Sequence, residues 1–174
     1  SKIIEPDISV ITNINYAHAK NFRTIKHIAL AKAEIIKNTK PNGFIVLNAD
    51  DKFFSLHRKI ALKNKLNVIS FGIKSKNSDI KLINIKKKSK NFKILVKTKN
   101  FKKYFWLSNN FQNNIYNTLA ALAVMAIDND IFDLKDTIFL NFKIPKGRGD
   151  FSKIKIKNKN INLIDESYNS NPLS

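Results

Sequence analysis

The feature that most constrains the fold is the alternation of short β-branched runs with helix-period segments in the first half of the chain. Residues 8–14 form an apolar run typical of a buried parallel strand, and residues 24–38 place five apolar side chains on one helical face. Further strands are predicted at 44–47 and 68–71, with a polar helix at 51–63 between them. Strands that alternate with helices predict a parallel sheet with right-handed crossovers.

The second half of the chain has a different period. Between residues 78 and 107 apolar side chains recur at every second position, which predicts an antiparallel meander with lysines on its solvent face. The sequence also predicts an apolar helix at 114–127, a shorter helix at 134–141, and two short strands at 151–156 and 161–164. The expected fold class is therefore α/β: a mostly parallel sheet flanked by helices, with an antiparallel meander at its edge.

Composition excludes several classes of protein. The chain has 174 residues, 43% of them hydrophobic, so we expect one globular domain with a buried core. It contains no cysteine, which excludes disulfides and thiolate metal sites. No apolar run approaches the roughly 20 residues that span a bilayer, and the first residues lack a signal-peptide pattern. We therefore expect a cytoplasmic protein without membrane insertion.

The net charge of +19 has two interpretations. A basic chain is the first indication of a nucleic-acid-binding module, and duplex DNA binding that survives about 200 mM salt would support it. However, lysine greatly outnumbers arginine and accompanies abundant Asn, Ile and Phe, which is typical of an AT-rich genome. The lysines are also spread over predicted strands and helices, apart from the run at 86–88. We favour genome composition and expect no specific nucleic-acid partner.

Lys32 is the most informative single residue. The helical period that aligns Ile25, Ile28 and Ile35 places Lys32 on the same apolar face. Two interpretations remain open: the lysine stem covers apolar surface while its amine reaches solvent, or burial favours the neutral amine. A neutral amine reacts with carbon dioxide to form a carbamate, which is a carboxylate-like metal ligand.

His18 follows the first predicted strand, where open α/β sheets place their ligands. A lone loop histidine is more often a surface residue than a metal ligand. His27 and His57 lie in polar helical stretches, and we assign them no role.

Six short motifs occur in a characteristic order. They are Thr12-Asn-Ile-Asn-Tyr-Ala-His18, Ala31-Lys-Ala-Glu-Ile35, Leu47-Asn-Ala-Asp-Asp51, Asn117-Thr-Leu-Ala-Ala121, Lys146-Gly-Arg148 and Asp165-Glu-Ser-Tyr-Asn-Ser-Asn-Pro172. In this order and spacing they resemble the central, P-loop ATPase-like domain of the Mur ligases, over nearly the whole chain. The last motif resembles the family member that adds D-alanyl-D-alanine to a UDP-N-acetylmuramoyl-tripeptide during peptidoglycan synthesis.

The resemblance implies a reaction, cofactors and partners. These ligases use ATP to convert a carboxylate into an acyl phosphate, and an incoming amine then displaces the phosphate. Mg²⁺ neutralises charge on the transferring phosphoryl group. The implied cofactors are ATP and Mg²⁺. The implied partners are the tripeptide precursor and D-alanyl-D-alanine, acted on by a monomer.

The resemblance also implies roles for particular residues. The position of His18 ligates magnesium, and that of Lys32 is the carbamylated lysine, so both count as catalytic and metal-binding. The remaining positions contact nucleotide or substrate: Asn117 near the adenine, Arg148 at the nucleotide, Asp165, Tyr168 and Asn169 at the hinge that closes over ATP, and Asn13 at the substrate channel.

Some features depart from the family pattern. The segment 111–114 reads Phe-Gln-Asn-Asn where the family usually has a Gly-x-His-Asn loop, and Glu166 stands where a second Asp is common. The glycine-rich phosphate loop and an acidic magnesium ligand would lie upstream of Ser1. We therefore expect 1–164 to be a central ATP-binding domain without that loop, 165–174 to begin a C-terminal ligase domain, and this chain alone to be inactive. Another amide ligase of the superfamily, such as the diaminopimelate-adding enzyme or a folylpolyglutamate synthase, remains an alternative.

Overall fold

The computed structural model describes residues 5–15, 22–108, 114–128, 130–141, 146–147, 150–165 and 167–168. The strands are β1 (Ile8–Ile11), β2 (Phe44–Asn48), β3 (Asn67–Gly72), β4 (Ile80–Lys88), β5 (Asn91–Lys97), β6 (Lys102–Ser108), β7 (Asp150–Ile156) and β8 (Lys159–Asp165). The helices are α1 (Ile25–Lys32), α2 (Glu34–Lys37), α3 (Phe54–Lys63) and α4 (Ile115–Asp128), with a 3-10 helix at Ile131–Asp133.

The strand order confirms the predicted fold class. Strands β1 to β6 form one six-stranded sheet in chain order. Neighbours from β1 to β4 pair in parallel, and β4, β5 and β6 pair antiparallel, as the change of period predicts. The hairpin of β7 and β8 is a separate two-stranded sheet.

Each face of the six-stranded sheet has its own apolar core, because side chains alternate across a strand. On one face α4 packs against β2, β3 and β4, with Leu119 and Leu122 fully buried. Each such leucine contributes about 1.5–3 kcal/mol by its burial. On the other face the helices α1 to α3 enclose a second core with Ile36, Ile45 and Leu47. The parallel part of the sheet thus lies between two helical layers.

Strand β1 ends at Ile11, three residues earlier than predicted, because side chains replace the backbone ladder beyond it. The side-chain amide of Asn48 donates to the carbonyl of Thr12 over 3.0 Å. The Oδ2 atom of Asp51 accepts the backbone N–H of Ile14 over 2.8 Å. Hydrogen bonds with polar side chains at the end of β2 therefore fix the position of the segment that follows β1.

Two helix predictions require correction. The predicted helix at 24–38 divides into α1 and α2 at Ala33. The predicted helix at 134–141 is wrong: turns occupy this segment, and Phe139 forms an isolated bridge with Leu107 of β6. Phe139 is buried, with its ring centroid 6.0 Å from that of Phe105. Tertiary burial of this aromatic ring overrides the local helical pattern.

The connection between the parallel neighbours β3 and β4 consists of residues 73–79 only. Parallel strands usually require a crossover of a dozen or more residues. Two aspartates stabilise the short path. The Oδ2 atom of Asp79 accepts the backbone N–H and the hydroxyl of Ser70 over 2.9 and 2.6 Å. The carboxylate of Asp50 accepts the backbone N–H groups of residues 73–75 over 2.6–2.9 Å.

Gly72 allows this close approach. A Cβ atom at Gly72 would lie 3.0 Å from Oδ1 of Asp50. We expect Gly72→Ala to lower the free energy of unfolding by about 1–3 kcal/mol, because the carboxylate must shift. Urea denaturation would measure this loss. In an Asp50→Ala background the same substitution should cost much less, and an equal cost in both backgrounds would contradict this explanation.

Candidate functional site

The carboxyl ends of β1, β2 and β3 lie at one edge of the sheet, which is where open α/β sheets place their ligands. The segments that follow these strands are bonded to each other through Asn48, Asp50 and Asp51. We call this region the carboxyl edge. It contains three of the six motifs identified in the sequence, at 12–18, 31–35 and 47–51, although residues 16–18 are outside the described part.

Asp50 is the centre of the carboxyl edge. Besides the three backbone N–H groups of 73–75, its Oδ2 atom accepts the hydroxyl of Tyr116 over 3.0 Å. Burial raises the pKa of the Asp50 carboxyl, but the hydrogen bonds from the 73–75 amides and from Tyr116 outweigh it and hold the pKa below its ordinary value. Asp50 is therefore ionised at neutral pH and acts as a fixed acceptor.

Tyr116 joins the first turn of α4 to this edge. Burial, followed by the hydrogen bond to the Asp50 carboxylate and its charge, raises the pKa of the Tyr116 hydroxyl to about 12. The hydroxyl is consequently a neutral donor at physiological pH. The next residue along the helix is Asn117, which is exposed and donates from its amide to Oδ1 of Asn114 over 3.1 Å. The Asp50–Tyr116 bond thus fixes the start of the helix that presents Asn117.

Asp51 links β1 to α3 at the same edge. Its Oδ2 atom accepts the backbone N–H of Ile14, and its Oδ1 atom accepts the backbone N–H of Phe53 over 2.8 Å. Both oxygens of this carboxylate are therefore occupied by backbone donors. Asp51 serves to position the loop after β1, which carries Asn13.

Lys32 lies at the carboxyl edge, and the structure decides against the interpretation in which its amine is buried. It is the last residue of α1, and its side chain is exposed. The helix α1 ends at Lys32. The buried face of α1 and α2 therefore consists of other residues, among them Ala29, Ala33 and Ile36. The Nζ atom of Lys32 donates to the carbonyl of Asn13 over 3.0 Å. The geometry agrees with the interpretation in which the lysine stem lies along the surface and the amine reaches solvent.

A cavity of about 350 Å³ opens beside this lysine, between β1 and the helices α1 and α2. Its lining includes Thr12, Lys32 and Glu34. The Asn13 side chain, predicted to line the substrate channel, is exposed next to it. The structure therefore brings Asn13 and Lys32 together.

A second contact joins the motifs at 146–148 and 165–172. The backbone N–H of Tyr168 donates to the carbonyl of Gly147 over 3.0 Å. Gly147 has a φ of 75°, and a Cβ atom there would lie 2.9 Å from the backbone nitrogen of Tyr168. Both requirements favour glycine at this position. The ring of Tyr168 is exposed.

Asp165 begins the turn that leads to this contact. Its Oδ1 atom accepts the backbone N–H of Ser167 over 2.9 Å. Hydrogen bonds from the Ser167 side chain and backbone hold the pKa of the Asp165 carboxyl below its usual range. Asp165 thus remains an anionic acceptor.

The three remaining predicted site residues, His18, Arg148 and Asn169, lie outside the described residues. Within the described ranges, no group of three or more His, Asp or Glu side chains could hold a metal ion. In the same ranges, no helix has the length and apolarity needed to cross a membrane.

The sequence interpretation missed three contributors. Asp50 and Tyr116 had no assigned role, although paired aspartates directly after a buried strand were a usable signal. His57 is 2% exposed, and its Nε2 atom lies 3.0 Å from the carbonyl of Ala29. It joins α3 to α1, which no local pattern indicated.

The Asp50–Tyr116 bond gives a prediction about stability and pH. We expect Tyr116→Phe to lower the free energy of unfolding by about 1–2 kcal/mol, because a charged acceptor loses a partly buried donor. Thermal or urea unfolding would measure this at neutral pH. Tyr104→Phe, an exposed tyrosine on β6, is the matched control and should cost far less.

The pH dependence follows from the lowered pKa of the Asp50 carboxyl. Its contribution is fully present above the unfolded value, about 3.9, and is lost as the pH falls through the lower folded value. The stability difference between the protein and Asp50→Asn should therefore be constant from pH 7 to about 5 and shrink below about 4. A difference that grows on acidification would contradict the assigned direction.

Comparison with known proteins connects this geometry to a family. The model of the Mur ligase middle domain matches residues 1–125. The UDP-N-acetylmuramoyl-tripeptide–D-alanyl-D-alanine ligase of Buchnera aphidicola subsp. Baizongia pistaciae is 30% identical over 174 residues, which is 100% of this chain and 36% of that protein.

Solved structures agree with this similarity. A crystal structure of MurF from Acinetobacter baumannii matches with a TM-score of 0.80 and 26% identity, covering 99% of this chain and 36% of that one. The MurF ligase from Thermotoga maritima, solved in complex with ADP, matches with a TM-score of 0.75 and 28% identity, covering 99% of this chain and 38% of that one. The chain thus spans well under half the length of these relatives. By its fold, its motifs and the match to the middle-domain model, the chain belongs to the Mur ligase family.

Proposed function

We propose that this chain is part of an ATP-dependent ligase that adds D-alanyl-D-alanine to UDP-N-acetylmuramoyl-tripeptide, a cytoplasmic step of peptidoglycan precursor synthesis. The observation that carries the proposal is the similarity to a ligase of that name along all 174 residues. The motif at 165–172, which resembles the D-alanyl-D-alanine-adding member, favours this substrate over other amines. Residues 1–164 would belong to the central ATP-binding domain, and 165–174 would begin the next domain.

The described residues support a role in holding nucleotide and orienting the reacting groups. Asn117 would contact the adenine, and the Asp50–Tyr116 bond would keep its helix in place. Asp165 and Tyr168, with Arg148 and Asn169, would contact ATP from the following hinge. The bond between Tyr168 and Gly147 supports this, since it joins two of the nucleotide motifs. Asn13 would line the path of the peptide substrate.

Magnesium would be held by Lys32, as a carbamate, and by His18. The ammonium form of a lysine is not a metal ligand, whereas a carbamate supplies carboxylate-like oxygens of the kind that magnesium prefers. A carbamate also keeps one N–H on Nζ, so the contact with the Asn13 carbonyl can persist. Exposure of Lys32 and the adjoining cavity leave room for the added group. When bound, the ion would neutralise charge on the transferring phosphoryl group.

An amine-dependent assay tests the substrate assignment. The full-length enzyme, given ATP and UDP-N-acetylmuramoyl-tripeptide, should release phosphate with D-alanyl-D-alanine and not with diaminopimelate or glutamate. The 174-residue chain alone should not turn over ATP, because it contains no Gly-Lys-Thr/Ser phosphate loop. Preference for another amine would reassign the enzyme within the family, and robust ATP turnover by the chain would contradict the proposed division of the site.

Substitution of Lys32 tests the carbamate. In the full-length enzyme Lys32→Ala should lower kcat by at least about 100-fold, with partial rescue by added formate or acetate, since a short carboxylate replaces the lost ligand. Lys26→Ala, an exposed lysine on the same helix, is the matched control and should retain activity.

A spectroscopic measurement separates this role from a structural one. NMR in ¹³C-labelled bicarbonate should show a carbamate signal in the wild type and in Lys26→Ala, and not in Lys32→Ala. A signal that survives Lys32→Ala, or near-normal activity of that variant, would return Lys32 to the role of a surface lysine.

A further inference from the structure

The outer face of the β4–β6 meander is open in the described part of the chain. The opposite, inner face is apolar, with Ile94, Val96 and Phe105 buried in the same core as α4. On the outer side the helices α1 to α3 pack against β1 to β3 and do not extend over the meander. We call this outer side the basic face. Its charged and aromatic members are Lys81, Lys86, Lys88, Lys93, Lys97, Lys102, Tyr104 and Trp106.

Charge is concentrated in this segment beyond what genome composition explains. Residues 80–108 are one-sixth of the chain and contain ten lysines, no arginine and no acidic residue. They carry more than half of the net charge of +19. An AT-rich genome adds lysine throughout a protein and does not remove acids from one segment. The lysines are therefore enriched in one continuous segment, and this segment forms the three strands of the meander.

Strand register places these lysines side by side. Lys81 is opposite Lys97, which is opposite Lys102, and Lys86 is opposite Lys93. Like charges directly across a sheet are destabilising. Folding alone therefore disfavours these rows, and an external anionic surface would offset their repulsion.

Two aromatic rings stand among the lysines. Tyr104 is 49% exposed, and Trp106 is partly exposed beside it. The Nζ atom of Lys93 lies 4.3 Å from the Tyr104 centroid and 5.3 Å from the Trp106 centroid. Tyrosine and tryptophan with flanking lysines are the side chains that settle at the headgroup level of a bilayer.

The same contacts disfavour a single-stranded nucleic acid. Base stacking requires an open ring face, and the Nζ atom of Lys93 already lies over one side of each ring. The segment also lacks arginine, which makes the bidentate contacts to phosphates and bases. Lysine point charges on a flat sheet are better suited to a diffuse anionic surface.

We propose that the basic face docks peripherally on the surface of an anionic phospholipid bilayer. The lysines bind the headgroup phosphates, and Tyr104 and Trp106 lie at the interface. The proposal is independent of the ligase assignment, because it rests on residues outside the carboxyl edge.

Trp106 is the only tryptophan of the 174-residue chain and is a native reporter. With vesicles of phosphatidylcholine and phosphatidylglycerol, its fluorescence should shift to shorter wavelength, and the chain should sediment with the vesicles. Vesicles of phosphatidylcholine alone should give neither effect. Salt at about 0.5 M should release the protein, because it screens the charges. Equal binding to both vesicles would overturn the proposal.

Two matched variants test the location. Lys86, Lys97 and Lys102, all exposed on the basic face, are changed together to Gln; Lys26, Lys37 and Lys63, exposed on the helices, form the control triple. Each lysine near an anionic bilayer contributes about fivefold to binding, so the first triple should weaken it about 100-fold. The control should weaken it less than about fivefold. Circular dichroism verifies that both remain folded.

Three results would overturn the proposal: no binding to anionic vesicles, equal losses in the two triples, or displacement from vesicles by an oligothymidylate that the wild type binds more tightly. The last result would assign the face to single-stranded nucleic acid.

Discussion

The Asp50 carboxylate is the interaction on which the arrangement of this structure depends. It accepts backbone N–H groups of the segment that follows β3 and so holds the turn there. Because of this turn, β4 can pair in parallel after a connection far shorter than a helical crossover. It also holds Tyr116 and hence the start of α4. A single ionised group therefore joins the parallel half of the sheet, the antiparallel meander and one helical layer. Its low pKa follows from the number of backbone donors that it accepts.

Polar side chains replace backbone pairing beyond the end of β1 at the carboxyl edge. Asn48 and Asp51 hold the chain after β1, where the ladder has already stopped. The loop carrying Asn13 is consequently positioned by side chains of the next strand, and Lys32 bonds to that loop. This gives the edge both a rigid base and an accessible surface, which a site that binds nucleotide and peptide requires. The roles of the individual site residues stay predictions.

The sheet divides the molecule into two chemical regions. The parallel part has helices on both faces and presents the carboxyl edge, whereas the described meander is covered on one face only. Alternate residues of β4, β5 and β6 lie on that uncovered face, and many of them are lysines. These lysines form one patch because antiparallel register aligns alternate residues of neighbouring strands.

The sequence alone determined the fold class, the family and most element boundaries, because hydrophobic period and motif order are local properties. It identified the motifs that contain Asn13 and Lys32 without showing that they meet, and it identified the 47–51 motif without its role. Only the tertiary structure decided the exposure of Lys32, the bonds of Asp50 to Tyr116 and of His57 to Ala29, and the loss of the helix at 134–141. These outcomes depend on where helices end and which distant groups meet, and no window of neighbouring residues contains that information.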